Sequence, residues 1–467
     1  MNRTFKSLVS TLSLYLTVSF NAQAGYALPE YQQLTLENGM SIYLMEQHEV
    51  PLINVNLMVK VGAIHDGQQA GLNRLTLANM ALGSQQQSKA EIEQALDFIG
   101  ADLNTHGGTE MSAISASFIN KDQAKVLTII RDMLVSPRFD PQEFDKHRNR
   151  YLVQLGQQKE RPRAVISRYF NKMIYGQQGY GSAISGNTDT IKALSLDDLK
   201  NFYQSRYQPR HSAVVVVGDF DSKKMLAQLK GLFKGWKNND LKVTALTPAP
   251  APSPALKQDS ARVLLVNKSD AIETTFLIGG KGIARSNPDY IAVSVLNTIL
   301  GGRFTSWLND ALRVNAGLTY GARSRFDSHK QSGSFAISTF TKTQTTVAAV
   351  DLALETYQRM WQQGIDQQTL DSAKSYVKGQ FPPRYETSEQ LADLLGDMFI
   401  YGFNQDFINQ FEQQVNSMTI ATTKQLIKQY FPKENLTFVM IGNAAAIKDD
   451  VAKYGKVRQV NIQDVGF

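Results

Sequence analysis

Cysteine is absent from all 467 residues, which excludes disulfides, thiolate metal sites, a cysteine nucleophile and a lipoprotein anchor. Histidine is scarce. His48, His65, His106, His147, His211 and His329 complete the set, and no two stand three or four residues apart, so no helix turn presents a histidine pair to a metal. Past the N-terminus there is no apolar run of 18 residues, so nothing there reads as a membrane-spanning helix. Basic runs of five or more are missing too. The 49 Lys and Arg are scattered singly among 42 Asp and Glu, which argues against a nucleic-acid partner despite a formal charge of +7 and a pI near 9.2.

What remains is an ordinary globular composition. The apolar fraction of 42% supports a packed core, and the length calls for at least two domains. Arg3 and Lys6, the apolar stretch Leu8 to Phe20 and the small residues of Ala22-Gln23-Ala24 form a signal peptide, residues 1–24, cut before Gly25. Its loss lowers the formal charge from +7 to +5. The expected compartment is the bacterial periplasm, reached as a soluble chain with no integral membrane segment. A core of this size explains how an exported protein does without disulfides.

The first structured unit reads as a hairpin: Leu34-Thr35-Leu36, a turn at Asn38-Gly39, then Met40 to Leu44. Ile53, Val55, Leu57 and Val59 alternate with Asn54, Asn56, Met58 and Lys60, the pattern of a half-buried strand. Leu72, Leu75, Asn79 and Leu82 then fall on one face of a helix. Ser88 and Glu91 form a capping box for a second helix, which stops at Gly100. Ile114 to Phe118 is strand-like. This is an α+β order, with helices packed on a mostly antiparallel sheet.

Residues 247–254 carry proline at every second position, so they are extended and stiff and cannot pair in a sheet. Residues 246–258 therefore read as a linker. The segments on its two sides echo one another. Pro209 and Ala213 to Gly218 match Pro432 and Thr437 to Gly442; Asp140 to Phe144 matches Asp366 to Leu370; Ser117-Phe118 matches Thr339-Phe340. The order is the same and the offset roughly constant, so we read two copies of one α+β domain, residues 25–245 and 259–467. Gly279-Gly280-Lys281-Gly282 lacks the spacing of a phosphate loop and reads as a turn between strand and helix. Gly301-Gly302 reads as a close approach of two backbones.

The second half contains Leu300-Gly301-Gly302-Arg303-Phe304-Thr305-Ser306-Trp307-Leu308, followed by Leu312-Arg313 and Gly317-Leu318-Thr319-Tyr320-Gly321. With Asn287-Pro288-Asp289-Tyr290 upstream, this resembles the signature of the insulinase-type (pitrilysin-like) zinc peptidases over nearly the whole mature chain. The resemblance implies two homologous mitochondrial-processing-peptidase-like domains closing around a peptide. It also implies an inverted zinc motif, His-x-x-Glu-His, with a distant glutamate as third ligand. In this chain Arg74 stands at the first histidine, Leu77 at the base, Ala78 at the second histidine and Gln154 at the glutamate. A permanent cation, two aliphatics and a neutral amide hold no zinc.

The family's second-half residues are matched by Arg313 and Tyr320, seven apart. By the resemblance, the guanidinium binds substrate carbonyls and the phenol donates to a developing oxyanion. The expectation is therefore a non-catalytic subunit that binds no cofactor itself. It would supply Arg313 and Tyr320 in trans to a zinc-containing M16-type partner, as a heterodimer or larger, acting on peptides. The alternative is a non-enzymatic peptide-binding or scaffold protein of the same fold.

Overall fold

The computed structural model describes residues 26–239 and 262–464. The signal peptide at 1–24 and the linker at 246–258 lie outside the described residues. Two six-stranded sheets organise everything else. The first contains β1 (Gln32–Thr35), β2 (Ser41–Glu46), β3 (Leu52–Val59), β4 (Asp102–Gly107), β5 (Ser112–Ile119) and β6 (Ser212–Gly218). Its spatial order is β1-β2-β6-β3-β5-β4. The second contains β7 (Arg262–Asn267), β8 (Glu273–Lys281), β9 (Arg323–Ser328), β10 (Gly333–Lys342), β11 (Thr437–Gly442) and β12 (Lys456–Asn461). Its order is β12-β7-β11-β8-β10-β9. In both, one half of the sheet is antiparallel throughout, and β6 and β11 each have one parallel neighbour.

The duplication is thus a duplication of topology. β2, β6, β3, β5 and β4 correspond in order to β7, β11, β8, β10 and β9. The sequence echoes land on corresponding elements: β6 and β11, β5 and β10, and two helix N-caps, Asp140 and Asp366. The outermost strand differs in origin. The first half takes it from the leading hairpin, where Thr35 pairs with Ser41, and the second from the chain's C-terminal segment.

Five helices of the first half matter for function: α1 (Leu72–Met80), α2 (Lys89–Ile99), α3 (Gln123–Val135), α4 (Pro141–Gln158) and α5 (Pro162–Tyr175). In the second half the counterparts of α4 and α5 are α6 (Gln367–Gly379) and α7 (Ser388–Tyr401). The capping box is present as read: Ser88 Oγ accepts from Glu91 N–H, and a Glu91 carboxylate oxygen accepts from Ser88 N–H at 2.7 Å. One face of the first sheet packs Ile53, Val55, Leu57, Val214 and Val216 against its own helices.

The other face departs from the expected half-buried strand. Asn54, Asn56 and Met58 are buried, because α7 of the second half lies across β3 and β6. Met45, Met58, Val215 and Val217 pack there with Leu391, Leu395 and Met398, and Asn56 donates to Asp393 at 2.9 Å. The exchange is reciprocal. α5 of the first half covers β8 and β11, setting Val165, Ile166, Tyr169 and Phe170 on Leu264, Leu277, Val439 and Ile441. Each sheet is therefore roofed by a helix of the other half. A further correction concerns Gly279 and Gly280, which sit within β8 rather than in a turn. A Cβ on Gly279 would stand 1.9 Å from the Phe335 carbonyl of the adjoining strand, so the glycine serves strand packing.

Candidate functional site

The loop that carries Tyr320 is fixed through its backbone. Leu300, Leu308 and Leu312 of the second-half signature are completely buried and anchor it to the core. Gly301 lies so near β9 that a Cβ would stand 2.1 Å from the Ser324 nitrogen, which is the close backbone approach read from the sequence. Thr341 Oγ1 donates to the Leu318 carbonyl at 2.7 Å, and Thr339 Oγ1 donates to the Gly321 carbonyl at 2.8 Å. Ala322 N–H donates to Asn309 Oδ1, while Leu318 N–H closes back on the Leu312 carbonyl at 2.8 Å. Against this held backbone the Tyr320 side chain is 82% exposed, with its ring stacked on Phe340 at 6.5 Å. Arg313 is exposed too, its guanidinium 4.7 Å from the ring centre of exposed Phe304.

Tyr320 stands at the wall of a groove of about 610 Å³ between α5 and the uncovered part of the second sheet. Its floor is Thr275 and Leu277 of β8 with Ala336, Ser338 and Phe340 of β10. Edge strand β9 contributes Arg323, Arg325 and Asp327, which share one face at the two-residue strand period. α5 contributes Arg163, whose guanidinium lies 3.2 Å from the Phe340 ring centre and also pairs with Glu273 at 3.3 Å. Arg313 is not among the lining residues: it sits on the short helical segment Asp310–Asn315, and of the pair only Tyr320, on the loop that follows, faces the groove. Nothing in the sequence order announced Arg163, because α5 arrives from the other half. The alternation Arg323-x-Arg325-x-Asp327 just after Tyr320 was a visible signal.

Of the positions that the resemblance assigns to zinc binding, Arg74, Leu77 and Ala78 lie on α1 and Gln154 lies on α4, three residues beyond Tyr151. α1 starts where the buried Asp66 carboxylate accepts from Gly71 N–H and Asn73 N–H, both at 2.8 Å, which fixes the helix N-terminus. Leu77 is 2% exposed and belongs to the core, Ala78 is half-buried, and Arg74 and Gln154 are exposed. Arg74 lies over the ring of Tyr151 on α4, 5.5 Å from its centre. Tyr151 donates to the Ser185 carbonyl at 2.9 Å and stacks with His147 at 6.1 Å. Burial pushes the Tyr151 hydroxyl up, opposed by the charges of Arg74 and Arg168. Burial likewise pushes His147 down, with Arg150, Arg74 and Lys89 adding to the effect. A guanidinium, two alkyl groups and an amide offer no anionic or imidazole donor, so these residues do not fit zinc. Among the described residues no group of three or more His, Cys, Asp or Glu is placed to hold a metal ion.

Among the described residues, then, this duplicated α+β frame presents an exposed tyrosine beside a groove and no group of side chains placed to hold a metal ion. A family model described as "Insulinase (Peptidase family M16)" matches residues 42–188, and one described as "Peptidase M16 inactive domain" matches residues 193–377. The chain belongs to peptidase family M16. It is 27% identical over 256 residues to an uncharacterized zinc protease of Streptomyces coelicolor, which is 55% of this chain and about half the length of that relative. It is 24% identical over 404 residues to the non-peptidase homolog YmxG of Helicobacter pylori, covering 85% of this chain and 90% of the relative. The zinc protease PqqE of the same organism is 25% identical over 451 residues, covering 93% and 97%. In fold, the chain is similar to the crystal structure of a peptidase M16 inactive domain from Pseudomonas fluorescens. The TM-score is 0.80 at 23% identity over 88% of this chain and 98% of that one.

Proposed function

We propose that this chain is the non-metal subunit of a periplasmic zinc endopeptidase. It would bind peptide substrates and supply Arg313 and Tyr320 to the site of a zinc-bearing M16-type partner. The observation that carries the reading is the contrast within one molecule. The metal positions are filled by Arg74, Leu77, Ala78 and Gln154, while Tyr320 stays exposed on a loop whose backbone is pinned by Thr339, Thr341 and Asn309. A donor held this way loses little entropy when it meets a developing oxyanion. That Helicobacter pylori has both a zinc protease and a non-peptidase homolog similar to this chain supports a division of labour between two subunits. The groove beside Tyr320 and the open edges of β4 and β9 suit an extended peptide joined as an extra strand. No helix among the described residues is long and apolar enough to cross a membrane.

The test is to mix the chain with a zinc-bearing M16 partner and follow hydrolysis of a quenched fluorescent peptide. Tyr320→Phe should lower kcat by on the order of 100-fold, the scale of one lost oxyanion donor. Arg313→Ala should lower kcat/KM, with the complex still forming by size-exclusion chromatography. Turnover that is indifferent to both changes would instead assign the chain a scaffold role.

A further inference from the structure

The vacated metal site has acquired a character of its own. We propose that it binds a carboxylate: Arg74 of α1 and Arg168 of α5 grip it beside Tyr151, with the Gln154 amide as an added donor. The ligand is a carboxylate of a peptide, from its C-terminus or from an acidic side chain. The inference rests on the reading that the chain takes peptides.

Unpaired positive charge is the first argument. Elsewhere in this half Arg131 meets Asp132 at 2.6 Å and Arg148 meets Asp145 at 2.9 Å, so carboxylates of this half can reach a guanidinium where one is placed to. Among the described residues Arg74, Arg150 and Arg168 have no carboxylate within 4.0 Å, and Lys89 pairs only with Glu93 at 3.2 Å. Arg168 is half-buried, and among the described residues its one hydrogen bond is to the neutral Gln158 side chain. The charges that reach Tyr151 and His147 from α1, α2, α4 and α5 are all positive. Several like charges held around a partly buried aromatic pair repel one another, and an oxyanion relieves that repulsion.

Shape and access are the second argument. A guanidinium presents parallel donors that match a carboxylate's two oxygens, and partial burial strengthens the contact. The end of edge strand β4 meets the site: a Cβ on Gly107 would stand 3.6 Å from the Arg74 Cα. β4 is paired on one side only, by β5, so a peptide added along its free edge is delivered to Arg74. With Leu77 and Ala78 in place of a base and a ligand, the bound group is held and not hydrolysed.

The experiment is fluorescence anisotropy of labelled extended peptides on the purified mature chain. Three versions of one sequence are compared: a free C-terminal acid, its amide, and the amide with one interior glutamate. The free acid or the glutamate peptide should bind at least tenfold more tightly than the plain amide, and which of them does so identifies the source of the carboxylate. Arg74→Gln and Arg168→Gln should each abolish that preference while leaving the amide's affinity unchanged, and Arg74→Lys should restore part of it. Equal binding of all three peptides, or a preference that survives in the double variant, overturns the proposal. If no peptide binds, the peptide-binding reading of the preceding section fails, and labelling of Arg74 by phenylglyoxal decides the site. Glutarate should slow that labelling several-fold and glutaramide should not; equal protection overturns the carboxylate site.

Discussion

The two halves differ in the charge they partly bury. In the first half Arg74 and Arg168 have no carboxylate within 4.0 Å among the described residues. In the second, α7 places Asp393 and Asp397 one turn apart against the first sheet. Burial pushes the Asp397 carboxyl up to about 6, Asp393 adds to the effect, and Arg285 opposes it. The folded form therefore keeps this proton over a range where the unfolded chain has released it. The contribution to stability is full below about pH 4 and is lost as pH rises to about 6. Asp397→Asn, which stays neutral, should gain in melting temperature relative to the parent chain as pH is raised from 4 to 6.5. A difference that stays flat with pH would show that Asp397 ionises normally in the folded state.

The family resemblance picked out Arg74, Leu77, Ala78 and Gln154, and donor chemistry judged them unsuited to zinc; the structure adds that Arg74 lies as a cation over the Tyr151 ring. The surrounding cations could not be foreseen, because Arg168 reaches the patch from α5 and His147 from α4 through tertiary packing.

At the scale of elements, local signals placed the hairpin, the capped helix α2 and the strands β5, β6, β10 and β11, since each is specified by turn chemistry or a two-residue period. The failure at β3 is instructive. Its Asn54 and Asn56 are polar, so alternation predicts a wet face, yet α7 covers them. Periodicity reports what a strand's own neighbours bury, not a roof supplied from more than 300 residues away. The exchanged helices should couple the two halves. Phe170→Ala, which empties a site between α5 and the second sheet, should lower stability by about 3–5 kcal/mol. Unfolding by urea should still be a single transition observed by probes in either half. Gly396→Val tests the other contact. A Cβ there would stand 2.4 Å from the Met58 sulfur, so the change should lift α7 from β3 and lower the melting temperature by several degrees.

For the whole molecule, duplication explains the architecture. Each sheet needs a helix on its outer face, and two copies supply one another, so neither half is complete alone. With its apolar faces closed internally, the molecule keeps free the edges β4 and β9, the groove beside Tyr320 and the cationic patch at Arg74. These are the surfaces that the proposed peptide-holding role would use.

If hydrolysis requires a second, zinc-bearing subunit, peptide turnover measured for the purified chain with added zinc, for the partner, and for their mixture, each with and without a chelator, will show it. The mixture should turn peptide over well above the sum of the separate subunits, in a chelator-sensitive way, and this chain alone should not. Chelator-sensitive hydrolysis by this chain without a partner would rule out the non-metal subunit role.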